Sequence, residues 1–339
     1  MSSTAMIAGT GTGTGMRAAA ARRFGGPEVV GIERIPKPTP KRDEVLIRVH
    51  ASTVSIADHR TRSRDLPKGL GFYGPLALGV FRPRKRVLGM DAAGVVEAVG
   101  DEVTGFAPGD EVIAMLGAAF GGHAQYVCVN PATSAVTRKP RNLGWEEAVA
   151  LVFGGHTALA FLNHVEIVPG AEVLVNGASG AVGTAVVQLA KQRGARVTAV
   201  CSGGNAELAR SLGADRVVDY SVEDFAAAGE SYDVIVECVG NAPFERVGQS
   251  IRPGGALLLV ITSLHSMLTA SRDRKRSGKL VTFTGAPVSG VDLATIVRLA
   301  EAGEFRPVVD RVYDLDEIVE AHRYVDTGRK RGNVVLRIG

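Results

Sequence analysis

Apolar positions along this chain change their spacing twice. Between Met16 and Val129 they fall in short runs that alternate with polar residues, the period of half-buried strands. Met16–Ala21, Glu44–His50, Val95–Val99, Glu111–Ala114 and Tyr126–Val129 are such runs, parted by turns at Phe24–Pro27, Gly100–Asp101 and Pro108–Asp110. Several short strands without intervening helices predict a small β-barrel-like domain. From Pro140 the spacing turns helical, predicting helices over Trp145–Phe153 and Thr157–Val165. Beyond Pro169–Gly170 apolar strands alternate with helical segments. The strands are Glu172–Asn176, Val197–Val200, Arg216–Val218, Tyr232–Val236, Ala256–Ile261 (after the Pro253–Gly255 turn) and Leu280–Thr284. That alternation predicts a doubly wound parallel sheet, hence an α/β fold. A helix over Val291–Ala302 capped by Gly303, a strand starting at Val312, a helical stretch Leu315–Gly328 and a last strand Val334–Ile338 close the chain. This tail abandons the alternation and is expected to return to the barrel. The expected domains are therefore 16–139 with 287–339, and 140–286, after an extension over residues 1–15.

The chemistry concentrates where the first of the parallel strands ends. Asn176 is followed by Gly177-Ala-Ser-Gly-Ala-Val-Gly183, and then Val182, Val186, Leu189 and Ala190 share one helical face. A strand, a glycine-rich turn and a helix form the first half of a dinucleotide-binding unit. Small residues at Gly180 and Gly183 allow close approach of a pyrophosphate and of helix to strand. The helix N-terminus offers unpaired N–H groups and partial positive charge. Ala178 stands where the strict fingerprint has its first glycine, so Ala178, Ser179, Gly180, Ala181, Val182 and Gly183 form the expected phosphate turn.

Composition narrows the class. The 339 residues are 45% hydrophobic and 22% charged, with net charge +4, an ordinary globular balance that does not argue for nucleic acid. Two basic clusters, Arg82–Arg86 and Arg272–Arg276, are expected to be solvated loops. Cys128, Cys201 and Cys238 are far apart, which predicts free thiols and a reducing, cytoplasmic setting. No apolar run approaches membrane-spanning length. Residues 1–15, rich in Gly and Thr, lack the basic and apolar regions of a signal peptide and are expected to be a disordered extension.

Six segments together resemble the medium-chain dehydrogenase/reductase superfamily, in its zinc-independent quinone-oxidoreductase-like branch. They are Phe24–Val29, Leu88–Gly94, Pro108–Asp110, Asn176–Gly183, Leu212–Asp215 and Arg252–Gly255. The resemblance implies a GroES-like β-barrel domain, a Rossmann domain, a cofactor cleft between them and a homodimer. It implies that Thr157 meets the nicotinamide half of the cofactor, Ser202 and Asn205 the adenosine-ribose end, and Gly240 the cleft. Tyr73, in the Leu66–Phe81 loop, is a candidate pocket residue. Ser55 and Met90 stand where the zinc branch has Cys and His ligands, so no metal is expected.

Without zinc, something else must polarise the acceptor, or the acceptor must be electrophilic already, as quinones and α,β-unsaturated carbonyls are. Ser55, Asp58 and His59 are the candidate catalytic residues, as carbonyl donor and proton source; a capping role for Asp58 competes with catalysis. His156 is a further candidate, while His50 and His123 read as structural. The expected activity is hydride transfer from NADPH, or NADH, to a small-molecule quinone, activated alkene or carbonyl. An enoyl-thioester reductase and a non-catalytic NADPH sensor are the alternatives. NADPH is preferred in this reading because the strand Val197–Val200 runs into Cys201-Ser-Gly-Gly-Asn205, with no acid to bind a ribose 2′-OH before Glu207. Ser202 and Asn205 are expected to donate to phosphate oxygens, and Arg210 to reach the same region from the following helix.

Overall fold

The computed structural model describes residues 15–227 and 229–339, without the side chain of Tyr73. The expected N-terminal extension, Gly15 apart, lies outside the described residues. In the first part, β1 (Gly15–Ala21) and β2 (Val30–Pro36) form an antiparallel pair. Next come β3 (Val45–Val54), α1 (Ile56–Ser63), α2 (Gly74–Leu78), β4 (Asp91–Val99), β5 (Glu111–Met115), β6 (Tyr126–Val129) and β7 (Val136–Arg138). Two helices, α3 (Trp145–Ala150) and α4 (Val152–Leu162), lead to β8 (Glu172–Asn176) and α5 (Ala181–Gln192). Then follow β9 (Arg196–Cys201), α6 (Ala206–Ser211), β10 (Arg216–Asp219), β11 (Tyr232–Glu237), α7 (Phe244–Val247), β12 (Ile251–Leu259), α8 (Leu264–Ser277) and β13 (Leu280–Thr282). The chain ends with α9 (Gly290–Glu301), β14 (Val309–Asp314), α10 (Ile318–Asp326) and β15 (Asn333–Arg337).

Two large sheets result. One is parallel, in the order β10-β9-β8-β11-β12-β13. The other has the order β14-β15-β3-β4-β5-β7, with β6 also on β3, so the C-terminal strands complete the sheet begun by the N-terminal ones. In the parallel sheet both faces are covered, as crossover helices require. Val173 and Val175 point to the side of α4 and α5, where they meet Val186 and Leu189, whereas Leu174 points to the side of Val247 and Ala270. The second sheet buries Val45, Ile47, Val334 and Leu336 under Ile318, Ala321 and Val325 of α10.

Several elements differ from the sequence expectation; the last strand but one, for instance, begins at Val309 and not at Val312. The helix break expected at Gly154–Gly155 falls instead at Leu151, and both glycines lie inside α4. A Cβ on Gly154 would stand 2.3 Å from the Ala181 carbonyl oxygen, so this glycine serves close packing of α4 on the start of α5. Pro253–Gly255 is a bulge inside β12, not a turn before it: two steps along β11 span five along β12. The cluster Arg272–Arg276 is not a loop; it forms the last turns of α8, where cations favour the helix dipole. The buried positions of that helix are Ser266, Ala270 and Asp273, a helical period written in small and polar residues.

A carboxylate lies deep under the barrel strands. Asp91, fully buried at the start of β4, accepts bonds from the Thr53 amide (2.7 Å) and hydroxyl (2.6 Å) and from the Ser52 hydroxyl (3.2 Å). Burial pushes its carboxyl up to about 7, and the nearby Asp58 adds to the shift. A raised acid favours the native state below its unfolded value near 3.9, and that stabilisation disappears as pH rises through about 7. An Asp91→Asn variant keeps the acceptor and removes the titration. Its stability relative to wild type, from urea unfolding, should improve by about 2–3 kcal/mol between about pH 5 and about pH 8. Parallel pH profiles would contradict this.

Candidate functional site

The parallel sheet reverses its winding between β8 and β11, and a ligand crevice forms outside the carboxyl ends of strands at such a point. Here β8 ends in Asn176 and β11 in Glu237. The Asn176 side-chain amide donates to Glu237 Oε2 at 2.8 Å and to the Asn241 side chain at 2.7 Å. Glu237 Oε1 accepts from the amides of Gly240 (2.7 Å) and Val239. The fully buried carboxylate thus holds the loop after β11 open beside the glycine turn. Sequence reasoning missed both residues; the one sign was an acid and an amide ending otherwise apolar strands.

The turn itself carries the geometry expected of Ala178–Gly183. Its left-handed residue is Gly177 (φ +81°), so Ala178 occupies an ordinary conformation and costs nothing where the strict fingerprint has glycine. A Cβ at Gly183 would lie 2.1 Å from the Gly177 carbonyl oxygen and 2.8 Å from the Ala178 Cα. At Gly180 the nearest atom to such a Cβ would be 3.6 Å away, which leaves the mouth of the turn open. Gly180 is the N-cap of α5 and supplies no side-chain cap. The first-turn N–H groups of α5 therefore have neither intrahelical carbonyls nor a capping side chain, and the helix dipole adds positive charge. These residues fit a dinucleotide pyrophosphate.

Ser179, Ser202 and Asn205 come together at one end of this turn. The Asn205 amide donates to the Ser179 hydroxyl (3.2 Å) and the Ser202 hydroxyl (3.1 Å). They line a cavity of about 350 Å³ with Tyr220 and, from the far end of the chain, Arg329, Lys330 and Arg331. The tail is docked by the Gly332 amide on the Ser179 carbonyl (2.8 Å) and by the Arg331 guanidinium on the Gly204 carbonyl (3.3 Å). Burial lowers the Lys330 ammonium to about 8, against the pull of Asp310. The expected basic residue, Arg210, does not line this cavity; the tail residues, about which the local sequence is silent, do so instead.

At the other end, Gly240 (φ +99°) and Glu237 border a cavity of about 590 Å³ with Ile261, Thr262, Leu264 and the Lys68–Gly69 segment. The Leu264 amide donates to the Lys68 carbonyl at 3.0 Å, which joins α8 to the loop after α1. Thr157 is half-buried one turn beyond Gly154, on the side of α4 that meets the start of α5. The side chain of Tyr73 lies outside the described residues.

The three candidate catalytic residues are occupied otherwise. Ser55 is the N-cap of α1, and its hydroxyl donates to Asp58 Oδ2 at 2.6 Å. The fully buried Asp58 also accepts from the Ser55 amide (2.7 Å) and, on Oδ1, from the Gly89 amide (2.8 Å). This capping box turns the Ser55 hydroxyl onto the Asp58 carboxylate. His59 Nδ1 bonds Asp326 at 2.6 Å, beside the buried Arg62 on the same carboxylate. His156 faces Val288 and Asp292 near α9, and burial lowers its imidazole below the ordinary value. His50 stacks on Trp145 with ring centroids 4.6 Å apart, and buried His123 bonds the Thr53 carbonyl through Nε2 at 2.9 Å. Cys128, Cys201 and Cys238 are free thiols, each raised by burial, which keeps them protonated and inert. Met90 packs on the apolar core, and among the described residues no three His, Cys, Asp or Glu side chains converge on one point.

Residues 41–141 match the family model of the alcohol dehydrogenase GroES-like domain, and residues 212–336 that of zinc-binding dehydrogenases. The chain is 32% identical over 329 residues to the 2-methylene-furan-3-one reductase of Solanum lycopersicum, covering 92% of this chain and 76% of that protein. It is 31% identical over 328 residues to the chloroplast envelope quinone oxidoreductase homolog of Arabidopsis thaliana, covering 92% and 95%. The solved structure of the quinone oxidoreductase from Coxiella burnetii superposes with a TM-score of 0.82 at 27% identity, covering 96% of this chain and all of that one.

The phosphate turn allows a direct test. Gly183→Val should push α5 from β8 and weaken dinucleotide binding by tenfold or more, roughly 1.4 kcal/mol, with the barrel sheet still folded. Calorimetric titration that gives the wild-type affinity would remove the turn from the site.

Proposed function

The chain belongs to the medium-chain dehydrogenase/reductase superfamily and is an oxidoreductase of its quinone-oxidoreductase-like kind, and on that footing we propose that it moves a hydride from NADPH to a quinone or an enone. The observation that carries this reading is the switch-point crevice, with an uncapped helix N-terminus at its centre and an apolar cavity at one end. The enone arm draws on the exocyclic enone named for the tomato relative, and the quinone arm on the Arabidopsis and Coxiella proteins. In this reading Ala178–Gly183 and the first turn of α5 hold the pyrophosphate, Ser202 and Asn205 the adenosine ribose, and Thr157 and Gly240 flank the nicotinamide. When bound, the reduced nicotinamide supplies the hydride. Glu237 and Asn176 keep the Val239–Gly240 backbone fixed against the crevice, and Ile261 and Leu264 exclude water from it. Ser55, Asp58 and His59 act as a brace: the capping box fixes α1 and, through the Gly89 amide, the Leu88–Asp91 segment. Solvent then supplies the acceptor's proton.

The same proposal divides the chain at 139/140 and 286/287 and makes it a homodimer of a reducing, cytoplasmic-type compartment. Sheet membership supports the division and the three free thiols the compartment. No helix among the described residues is long and apolar enough to cross a membrane. A screen of NADPH oxidation against quinones, enones and a 2-enoyl thioester tests the acceptor class; turnover of the thioester alone would move the assignment to an enoyl-thioester reductase.

NADPH preference rests on the tail. Ser202, Tyr220, Lys330 and Arg331 surround a cavity that contains no carboxylate among its lining residues, which suits a ribose 2′-phosphate. We expect kcat/KM to favour NADPH over NADH by roughly tenfold or more, about 1.4 kcal/mol, and Ser202→Asp or Lys330→Met to erase that lead. Lys330 is charged below about 8 and neutral above, so NADPH affinity should fall as pH rises through that value while NADH affinity stays flat. A wild type that favours NADH would show the cavity to be misassigned.

Metal independence is part of the proposal. Ser55 spends its hydroxyl on Asp58 and Met90 its thioether on the core, so neither is a zinc ligand. Extended chelation should leave turnover unchanged, and metal analysis that finds one tightly held zinc per chain would refute this.

A further inference from the structure

The segment between Arg64 and Arg86 contains six basic residues and one acid. It is built as an ordered ledge. The Arg64 guanidinium donates to the carbonyls of Gly79 and Val80 and stacks 3.8 Å over the Phe24 ring. The Arg84 amide closes the base of the loop on the Leu78 carbonyl at 2.9 Å. Yet the ledge turns its apolar side chains outward: Leu76 is 72% exposed, Val80 58% and Phe81 88%. Leu268 of α8, 74% exposed, borders the same cavity as Lys68 and Gly69. Large apolar side chains held outward on an ordered ledge mark a surface that is covered in use.

Cations frame this surface. Arg86 pairs with Glu33 at 2.7 Å, but Arg82, Arg84 and Lys85 are exposed and join no ion pair among the described residues. The same holds for Lys68, and for Arg274, Lys275 and Arg276 at the end of α8.

We propose that this ledge seats on an anionic lipid surface, with Leu76, Val80 and Phe81 below the headgroups and Arg82, Arg84 and Lys85 among the lipid phosphates. The charge complementarity of the unpaired cations names the occupant, and the aliphatic and aromatic tips supply the insertion. A nucleic acid would use the cations but has no use for exposed leucine and valine. A second copy of the chain would bring the same excess of positive charge to the contact, which opposes self-association through this face. The proposal is independent of the reaction assigned to the crevice. It also leaves intact the absence of a spanning helix among the described residues, since the ledge lies on the membrane without crossing it.

Flotation of the full chain with vesicles tests it. Wild type should float with phosphatidylglycerol:phosphatidylcholine vesicles of roughly 3:7 composition, not with phosphatidylcholine alone, and should be released by roughly 0.5 M salt. Replacing Arg82, Arg84 and Lys85 together by Gln should lower the partition coefficient on the order of a hundredfold. Leu76→Ser with Phe81→Ser should lower it by at least about tenfold. The substituted side chains are exposed, and an unchanged melting temperature verifies that both variants fold. Failure of the wild type to float, or equal flotation of all three proteins, overturns the proposal. Sedimentation velocity that shows a dimer lost in the Leu76/Phe81 variant would assign the ledge to a second copy instead. Binding to duplex DNA that equals vesicle binding and survives the Leu76/Phe81 substitutions would assign the cations to nucleic acid, and either result also overturns it.

Discussion

The backbone-to-backbone contact between α5 and the end of β8 sets the terms for everything around it. Gly183 touches the Gly177 carbonyl and the Ala178 Cα at distances that admit no side chain. On the opposite side of the same helix end, Gly154 of α4 meets the Ala181 carbonyl with equally little room. Two helices and a strand therefore converge on the first turn of α5 with no side chains between them. That convergence fixes where the unpaired N–H groups point, and the switch from β8 to β11 places the crevice in front of them. Without close packing the turn would be one more glycine-rich loop; with it, the helix end is held rigid against the strand ends that frame the crevice.

Buried polar groups do the corresponding work on each side of the crevice. Glu237 satisfies two loop amides and one side-chain amide, so the loop after β11 is held by bonds that would be costly to leave unmade. On the barrel side, Asp58 ties the start of α1 to Gly89, while Asp91 collects the Thr53 and Ser52 donors one strand away. Asp91 is raised chiefly by its burial, to which the neighbouring Asp58 adds. The barrel accepts the cost of burying these carboxylates, and they fix its backbone at Thr53, Ser55 and Gly89.

The legible part of this design is the part written locally. Strand, turn and helix around Asn176–Ala190 follow from apolar period and glycine spacing, because each of those signals acts over a few residues. A capping role for Asp58 is legible in the same way, although the helix begins at Ile56, three residues before the expected start, with Ser55 as its N-cap and Asp58 inside the first turn. What escapes the sequence has no local signature. The buried face of α8 is Ser266, Ala270 and Asp273, so no apolar stripe announces a helix. The glycines of α4 read as a break because their reasons, the Ala181 carbonyl for Gly154 and the Ile296 side chain for Gly155, lie on other helices. Glu237 looks like the ordinary polar end of a strand until Asn176 and Gly240 are set beside it.

The cavity around Ser202 and Asn205 shows the same limit at its widest. Arg331 reaches the Gly204 carbonyl across 127 positions of sequence, and no pattern near Ser202 foretells it. The contact exists because β15 pairs with β3 in the barrel sheet, and the segment that leads into β15 passes over the glycine turn on its way. The tail thus belongs to the barrel by its strands and to the cavity beside the glycine turn by its loop. A ligand that bridges Ser202 and Lys330 would join the two sheets at this point as well as at the crevice. The basic residues of Gly328–Gly332 stand beside Ser202 and Asn205 because of the path that β15 imposes on the chain.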